Sequence, residues 1–172
     1  IGIPFEPISE LDIEKLPENL PLFLTESSLY DFEIVQKIEK MLLLGRTVIV
    51  SSGFMKGALK KYPEITKFTS ISYSDRRLEA DEFQVTVSGL YGRNYVKSSY
   101  PISFPLLEHR NNATWTNLNA GHGEYHEGIV MYDTYGKGCF EVINFQDMPS
   151  CIRDVPDSVL TQIRSEFQDE IV

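Results

Sequence analysis

The chain has 172 residues, enough for one domain with a sizeable core, and 42% of them are hydrophobic, which excludes a disordered polypeptide. Its 25 acids against 16 bases give a formal net charge of -9, a balance that argues against nucleic acid and anionic membranes as partners. No run approaches the roughly 20 apolar residues that span a bilayer, so no membrane insertion is expected.

The chain begins at Ile1 rather than Met, from which a processed or excised piece of a longer protein is expected. Residues 1–20 are rich in proline and acids, and Gly2-Ile3-Pro4-Phe5 reads as a short extended piece wrapping onto a sheet. The first clear strand is Leu22–Leu24. A helix is expected from about Asp31 to Leu44, with Ile34, Val35, Ile38, Met41 and Leu42 as one apolar stripe. Ser27, Ser28 or Asp31 would cap its start, and Gly45 would stop it. Thr47–Val50 is the second strand, and a shorter helix from about Phe54 to Tyr62 follows, closed by Pro63. Neither strand alternates polar with apolar residues, which predicts burial on both faces and a right-handed parallel crossover.

After Ile65 the texture becomes β-rich. Ile71–Tyr73, Glu82–Val87, Ile102–Leu107 and Thr114–Leu118 read as strands, with turn signals at Gly89–Arg93 and Arg110–Asn112. Gly128–Tyr132 and Cys139–Asn144 read as a hairpin joined through Asp133–Gly138. A last helix runs from Asp157 to Phe167, with Pro156 suited to its first turn and Val159, Leu160, Ile163 and Phe167 on one side.

Ligands of a parallel sheet gather outside the carboxyl ends of its strands, which makes Thr25, Glu26, Ser51 and Ser52 the candidate ligand-binding residues. Ser51-Ser52-Gly53 fits a helix cap, and it also fits an anion or oxyanion cradle at a helix start. Glu26 suits a general acid/base or a ligand for hydroxyl groups, and equally an acid beside a helix dipole. His122, Glu124 and His126 would face one way on an extended segment and clamp a metal. The glycines around them and the absence of HExxH spacing point instead to a polar loop, so no metal site is expected. Cys139 has neither a helix dipole nor a neighbouring cation to activate it. With Cys151 it forms no CxxC, and both a disulfide and two free thiols are compatible with the spacing. Trp115, Tyr91, Tyr95, Tyr100 and Tyr125 suit sugar stacking or a sheet core. Asn112-Ala-Thr114 is a formal glycosylation sequon.

The stretches GIPFEP and LFLTESSLYDFEIVQKIEKMLLLGRTVIVSSGFMKGAL, then DEFQV, GIVMYDTYGKGCFEVINFQDMP and VPDSVLTQIRSEF, resemble a class I glutamine-amidotransferase-like (flavodoxin-like) domain of bacterial glycoside-hydrolase-type proteins. The resemblance covers about residues 2–168 and implies an α/β three-layer sandwich with a mostly parallel sheet and a β-rich second half. It makes residues 1–172 a single domain of a longer chain. True amidotransferases carry a cysteine at a strand-to-helix elbow. The comparable turns here carry Thr25-Glu26 and Ser51-Ser52, so no catalytic residue carries over. The resemblance thereby implies an accessory or assembly domain of a larger carbohydrate-related protein, without catalysis or cofactor of its own. Its partners would be the parent's other domains, a carbohydrate or a second copy, in the bacterial cytoplasm or exported with the parent. The competing expectation is a small hydrolase or carbohydrate-binding site at the carboxyl ends of the first two strands.

Overall fold

A computed structural model describes residues 6–9, 11–17, 20–86, 93–111, 113–145 and 153–167. Gly2–Phe5, most of the Gly89–Arg93 turn with Tyr91, Asn112 and Cys151 lie outside them.

The first half folds as its pattern predicts. Strands β1 (Leu22–Leu24) and β2 (Thr47–Ser51) pair in parallel, Leu22 opposite Val48 and Leu24 opposite Val50. Helix α1 (Ile34–Leu43) makes the crossover and buries its stripe: Ile34, Ile38 and Leu42 have no exposed surface. Its start differs from expectation. No side chain caps it at Glu33; Asp31 Oδ1 instead accepts from the Glu33 amide at 2.9 Å, just upstream of the helix. Its end is a Schellman turn: Gly45 adopts φ 95°, its amide donates to Leu42 O, and the Arg46 amide donates to Met41 O. Helix α2 (Ser52–Lys61) follows β2 directly, and Pro63, rather than ending the helix into a loop, opens a 3-10 turn, Pro63–Lys67.

The second half corrects the expected sheet. Strands β3 (Ile71–Thr86), β4 (Arg93–His109), β5 (Trp115–His122), β6 (Tyr125–Tyr135) and β7 (Gly138–Ile143) complete a sheet in the order β1-β2-β7-β6-β5-β3-β4. Among the described residues only β1, β2 and β7 run parallel; every pairing from β7 to β4 is antiparallel. The sheet is therefore mixed and mostly antiparallel, and the mostly parallel flavodoxin-like sandwich is overturned. Two-residue turns link β5 to β6 and β6 to β7, and such short links permit only antiparallel neighbours. Parallel pairing needs a crossover of a dozen or more residues, and the sequence supplies no helix between β3 and β7. The four short strands expected before Leu118 are really three, because β3 and β4 continue through register shifts at Ser74/Arg77 and Ala80/Glu82. These irregularities bend the long hairpin. It starts beside Thr114, at the head of β5, and reaches Gly121, near its end, by Glu82.

The two faces of the sheet carry separate cores. Val48, Val50, Phe140 and Val142 pack with α1 and α2, while Ile49, Val130 and Ile143 pack with the hairpin residues Ile102 and Phe104 and with Val159 and Ile163 of α3 (Asp157–Glu166). The buried guanidinium of Arg46 ties the amino-terminal segment to the first core through Leu16 O and Pro17 O.

Candidate functional site

The register of β1 and β2 brings Thr25 and Ser51 to one edge of the sheet, as expected of strand ends. The four candidate side chains do not converge there. Thr25 and Glu26 are exposed, and Thr25 Oγ1 is engaged with Ser27 Oγ at 2.8 Å. Ser51 is buried and used as the cap of α2, its Oγ accepting from the Phe54 amide at 3.1 Å. Ser52 is fully buried, and its Oγ has no partner among the described residues.

Polar groups converge instead toward the amino-terminal side of the parallel strands. Phe68 packs its ring edge-on to Tyr135 (5.0 Å) and near Phe140 (6.3 Å), which fixes the segment leading into β3. The next two residues, Thr69 and Ser70, then meet Asp133 on β6. Alternation along β6 sends Met131, Asp133 and Tyr135 to the α1/α2 side, so this acid stands where a core residue belongs. Asp133 Oδ2 accepts from Thr69 Oγ1 (2.8 Å), the Ser70 amide (2.6 Å) and Ser70 Oγ (3.3 Å). Its Oδ1 is buried without a donor among the described residues. Ser70 Oγ also reaches Thr114 Oγ1 (2.7 Å) and Asn111 Oδ1 (3.1 Å). The turn carrying Asn111 is held by His109 Nδ1 on Asn111 O at 2.8 Å and by the Arg110 amide on Ser70 O at 3.3 Å.

Around these groups lies an open crevice of about 310 Å³, whose polar wall includes Lys67, Thr69, Ser70, Arg110, Asn111 and Asp133. That volume is at the lower end of small-ligand sites, about 300–1,000 Å³. None of Thr25, Glu26, Ser51 and Ser52 lines it. Three groups on the wall are uncommitted among the described residues: Asp133 Oδ1, the Asn111 side-chain NH₂ and the Arg110 guanidinium. The wall thus offers a donor pair and a cation to whatever enters, with the unpaired carboxylate oxygen lying just beneath its surface.

The remaining sequence candidates fall elsewhere. His122, Glu124 and His126 do not share one extended segment, because the chain reverses at Gly123 and opposes His122 to Tyr125. His122 pairs with Asp81 at 2.8 Å and holds that carboxyl below its usual range; His126 pairs with Glu82 at 3.0 Å. Among the described residues no three potential ligands stand together as a metal site. Cys139 lies on β7, where burial and then the charges of Glu141, Glu166 and Asp133 push its thiol up to about 12. It is a thiol and no nucleophile at neutral pH. Tyr95, Tyr100, Trp115 and Tyr125 are exposed. Asp133 was hidden in the sequence because Asp133–Gly138 reads as the hairpin connection. The strand runs on to Tyr135, and the apolar-side alternation Met131, Asp133, Tyr135 was the signal available.

No family model and no curated protein matches the chain. Among solved structures it resembles the cytoplasmic protein STM3548 of Salmonella typhimurium (12% identity, 96% of this chain and 77% of that one, TM-score 0.56). It also resembles the cytoplasmic protein STM1381 of Salmonella typhimurium LT2 (10% identity, 91% and 75%, TM-score 0.55). A β-galactosidase from Rahnella sp. R3 aligns with 85% of this chain and 22% of its own, at 13% identity and TM-score 0.47. At these identities the two Salmonella proteins share the fold alone.

Proposed function

We propose that the chain is a non-catalytic binding domain that holds a small sugar in the Asp133 crevice, as an accessory part of a larger carbohydrate-related protein whose other domains are its partners. The observation that supports this is Asp133 itself. A buried carboxylate oxygen without a donor is costly, and native structures rarely leave one. Asp133 lines the crevice, and a turn of its carboxylate that gives up part of its bonding to Thr69 and Ser70 would let a ligand hydroxyl supply the missing donor. Asn111 can donate to a neighbouring ring oxygen or hydroxyl, a complementary pair suited to the vicinal hydroxyls of a sugar.

Catalysis has little to work with. Ser51 is spent on capping, Glu26 stands in solvent, and the Cys139 thiol stays protonated. No turnover of glutamine or of aryl glycosides is expected. Turnover that falls more than about a hundredfold in both Glu26→Gln and Ser52→Ala, a general acid/base contribution, would place the site at the strand ends instead.

The direct test is titration of isotope-labelled protein with neutral monosaccharides of the gluco, galacto and manno series. Saturable shifts of the Ser70, Asn111 and Thr134 amides are expected. Asp133→Asn should weaken binding by about tenfold or more, the loss of one charge-assisted hydrogen bond, with the rest of the spectrum unchanged. If no sugar moves these amides, or the variant binds as the parent does, the reading fails.

A further inference from the structure

Resting on the reading of the crevice as a sugar site, we propose that its ligand is an anionic sugar, a uronate or a sugar phosphate. Its charged group is met at the mouth by Arg110 and Lys67, while its hydroxyls turn inward to Asp133 and Asn111. The chain as a whole carries a net charge of -9, yet among the described residues the charged ones lining this crevice are two cations and one acid. The acid is the most deeply placed of the three, 7% exposed, and three protein donors already surround one of its oxygens.

Arg110 carries the argument. Its backbone is pinned to the crevice wall by the bond from its amide to Ser70 O, and Asn111 beside it is pinned by Ser70 Oγ and His109. Its guanidinium makes no hydrogen bond or ion pair with any described residue. An arginine rooted at a fixed point with its fork unspent matches a carboxylate or phosphate, which it engages through two parallel bonds. Lys67 enters the wall from the 3-10 turn on another side. Its carboxylate neighbour, the half-buried Glu39, is 3.8 Å away, and Glu39 also accepts from the Tyr135 hydroxyl at 2.9 Å. That loose pairing leaves Lys67 able to share its charge with a ligand. Asp133 sets the polarity of the site. An anion placed at the floor meets its charge, so the anion lies outward and the hydroxyls inward. A neutral sugar would satisfy Asp133 and leave Arg110 unused.

The test uses each sugar series in three forms: neutral sugar, uronate and 6-phosphate. Binding to the 172-residue chain is followed at the Ser70 and Asn111 amides at low ionic strength. The anionic forms are expected to bind about tenfold tighter than the neutral sugar, the effect of two solvent-exposed ionic contacts. Arg110→Gln should remove most of that gap, and Arg110→Gln with Lys67→Gln all of it, while neutral-sugar affinity changes less than about twofold. A gain limited to the uronate or to the phosphate supports the proposal and identifies which anion is read. Equal affinity for neutral and anionic forms at these amides, or a preference that survives the double variant, overturns the proposal and leaves the sugar-site reading standing. If no form moves these amides, both fall together.

Discussion

Glu141 stands on β7 opposite Ile49 and Tyr132, 3% exposed, with its Oε1 buried and without a donor among the described residues. Burial, and then the charge of Glu166, push its pKa from 4.5 up to about 9. Glu166 on α3 is raised as well, by burial, against the opposing effect of its hydrogen bond from Asn117 Nδ2 at 3.0 Å. The unfolded chain releases the Glu141 proton near pH 4.5 and the folded chain near 9, so between these values the folded state holds more protons. Its stabilising contribution is therefore complete below about pH 4.5 and is lost as pH rises toward 9. At roughly 1.4 kcal/mol per pH unit, the loss by neutral pH is on the order of 3 kcal/mol. Glu141→Gln removes this dependence, and it is expected to be on the order of 4 kcal/mol more stable than the parent near pH 8 and within about 1 kcal/mol of it near pH 5. Urea unfolding at the two pH values decides it, and parallel shifts at both would contradict the assignment. Gly138, three positions earlier on the same strand, is held by sterics. A Cβ there would stand 2.4 Å from Arg46 O and 2.6 Å from Leu42 O, both backbone atoms. Gly138→Ala should cost about 2–3 kcal/mol in the same measurement, the range for forced overpacking.

At the level of elements, α1 shows how far local pattern reaches. Its apolar stripe specifies both the helix and the face it buries, so substitutions on the two sides should diverge. Leu42→Ala, at a fully buried position, is expected to lower stability by about 3 kcal/mol, and Gln36→Ala, on the exposed side, to change it by less than about 0.5 kcal/mol. Comparable losses at both would show that the stripe does not pack as described. β1, β2, α3 and the β6–β7 hairpin were legible for the same reason: short apolar runs or helical periods bounded by Gly and Pro. β3 and β4 were not. Each runs through register shifts where its alternation breaks, and Pro101 and Pro105 lie inside β4, so β3 reads as two strands with a gap and β4 as its second half alone. The crevice was illegible on a longer scale. Ser70 and Asp133 stand 63 positions apart, and they meet through the β3–β5–β6 pairing and the docking of Phe68 against Tyr135.

The whole molecule is a parallel half and an antiparallel half joined through β7, which pairs with β2 on one side and β6 on the other. That strand order alone would allow the halves to unfold separately. The packing argues otherwise, because β2 serves both cores at once: Val48 and Val50 face α1 and α2, and Ile49 faces the core shared by α3, β5, β6 and the long hairpin. Ile49 of the parallel half is therefore embedded among residues of the antiparallel half, with Phe23 of β1 packed against the same core. Ile49→Ala should open a cavity in that second core and cost about 2–4 kcal/mol. If the two halves form one cooperative unit, the loss will be shared. Amide exchange of peptides from α1, which does not touch Ile49's core, should then accelerate by the same free energy as exchange from β5 and β6, which line it. Under conditions where exchange proceeds through global opening, equal acceleration marks one unit. Acceleration confined to β5 and β6, with α1 unchanged, would mean that the antiparallel half opens on its own. The crevice between Asp133 on β6 and the turn leading from α2 into β3 would then lie across a boundary between two independently opening parts.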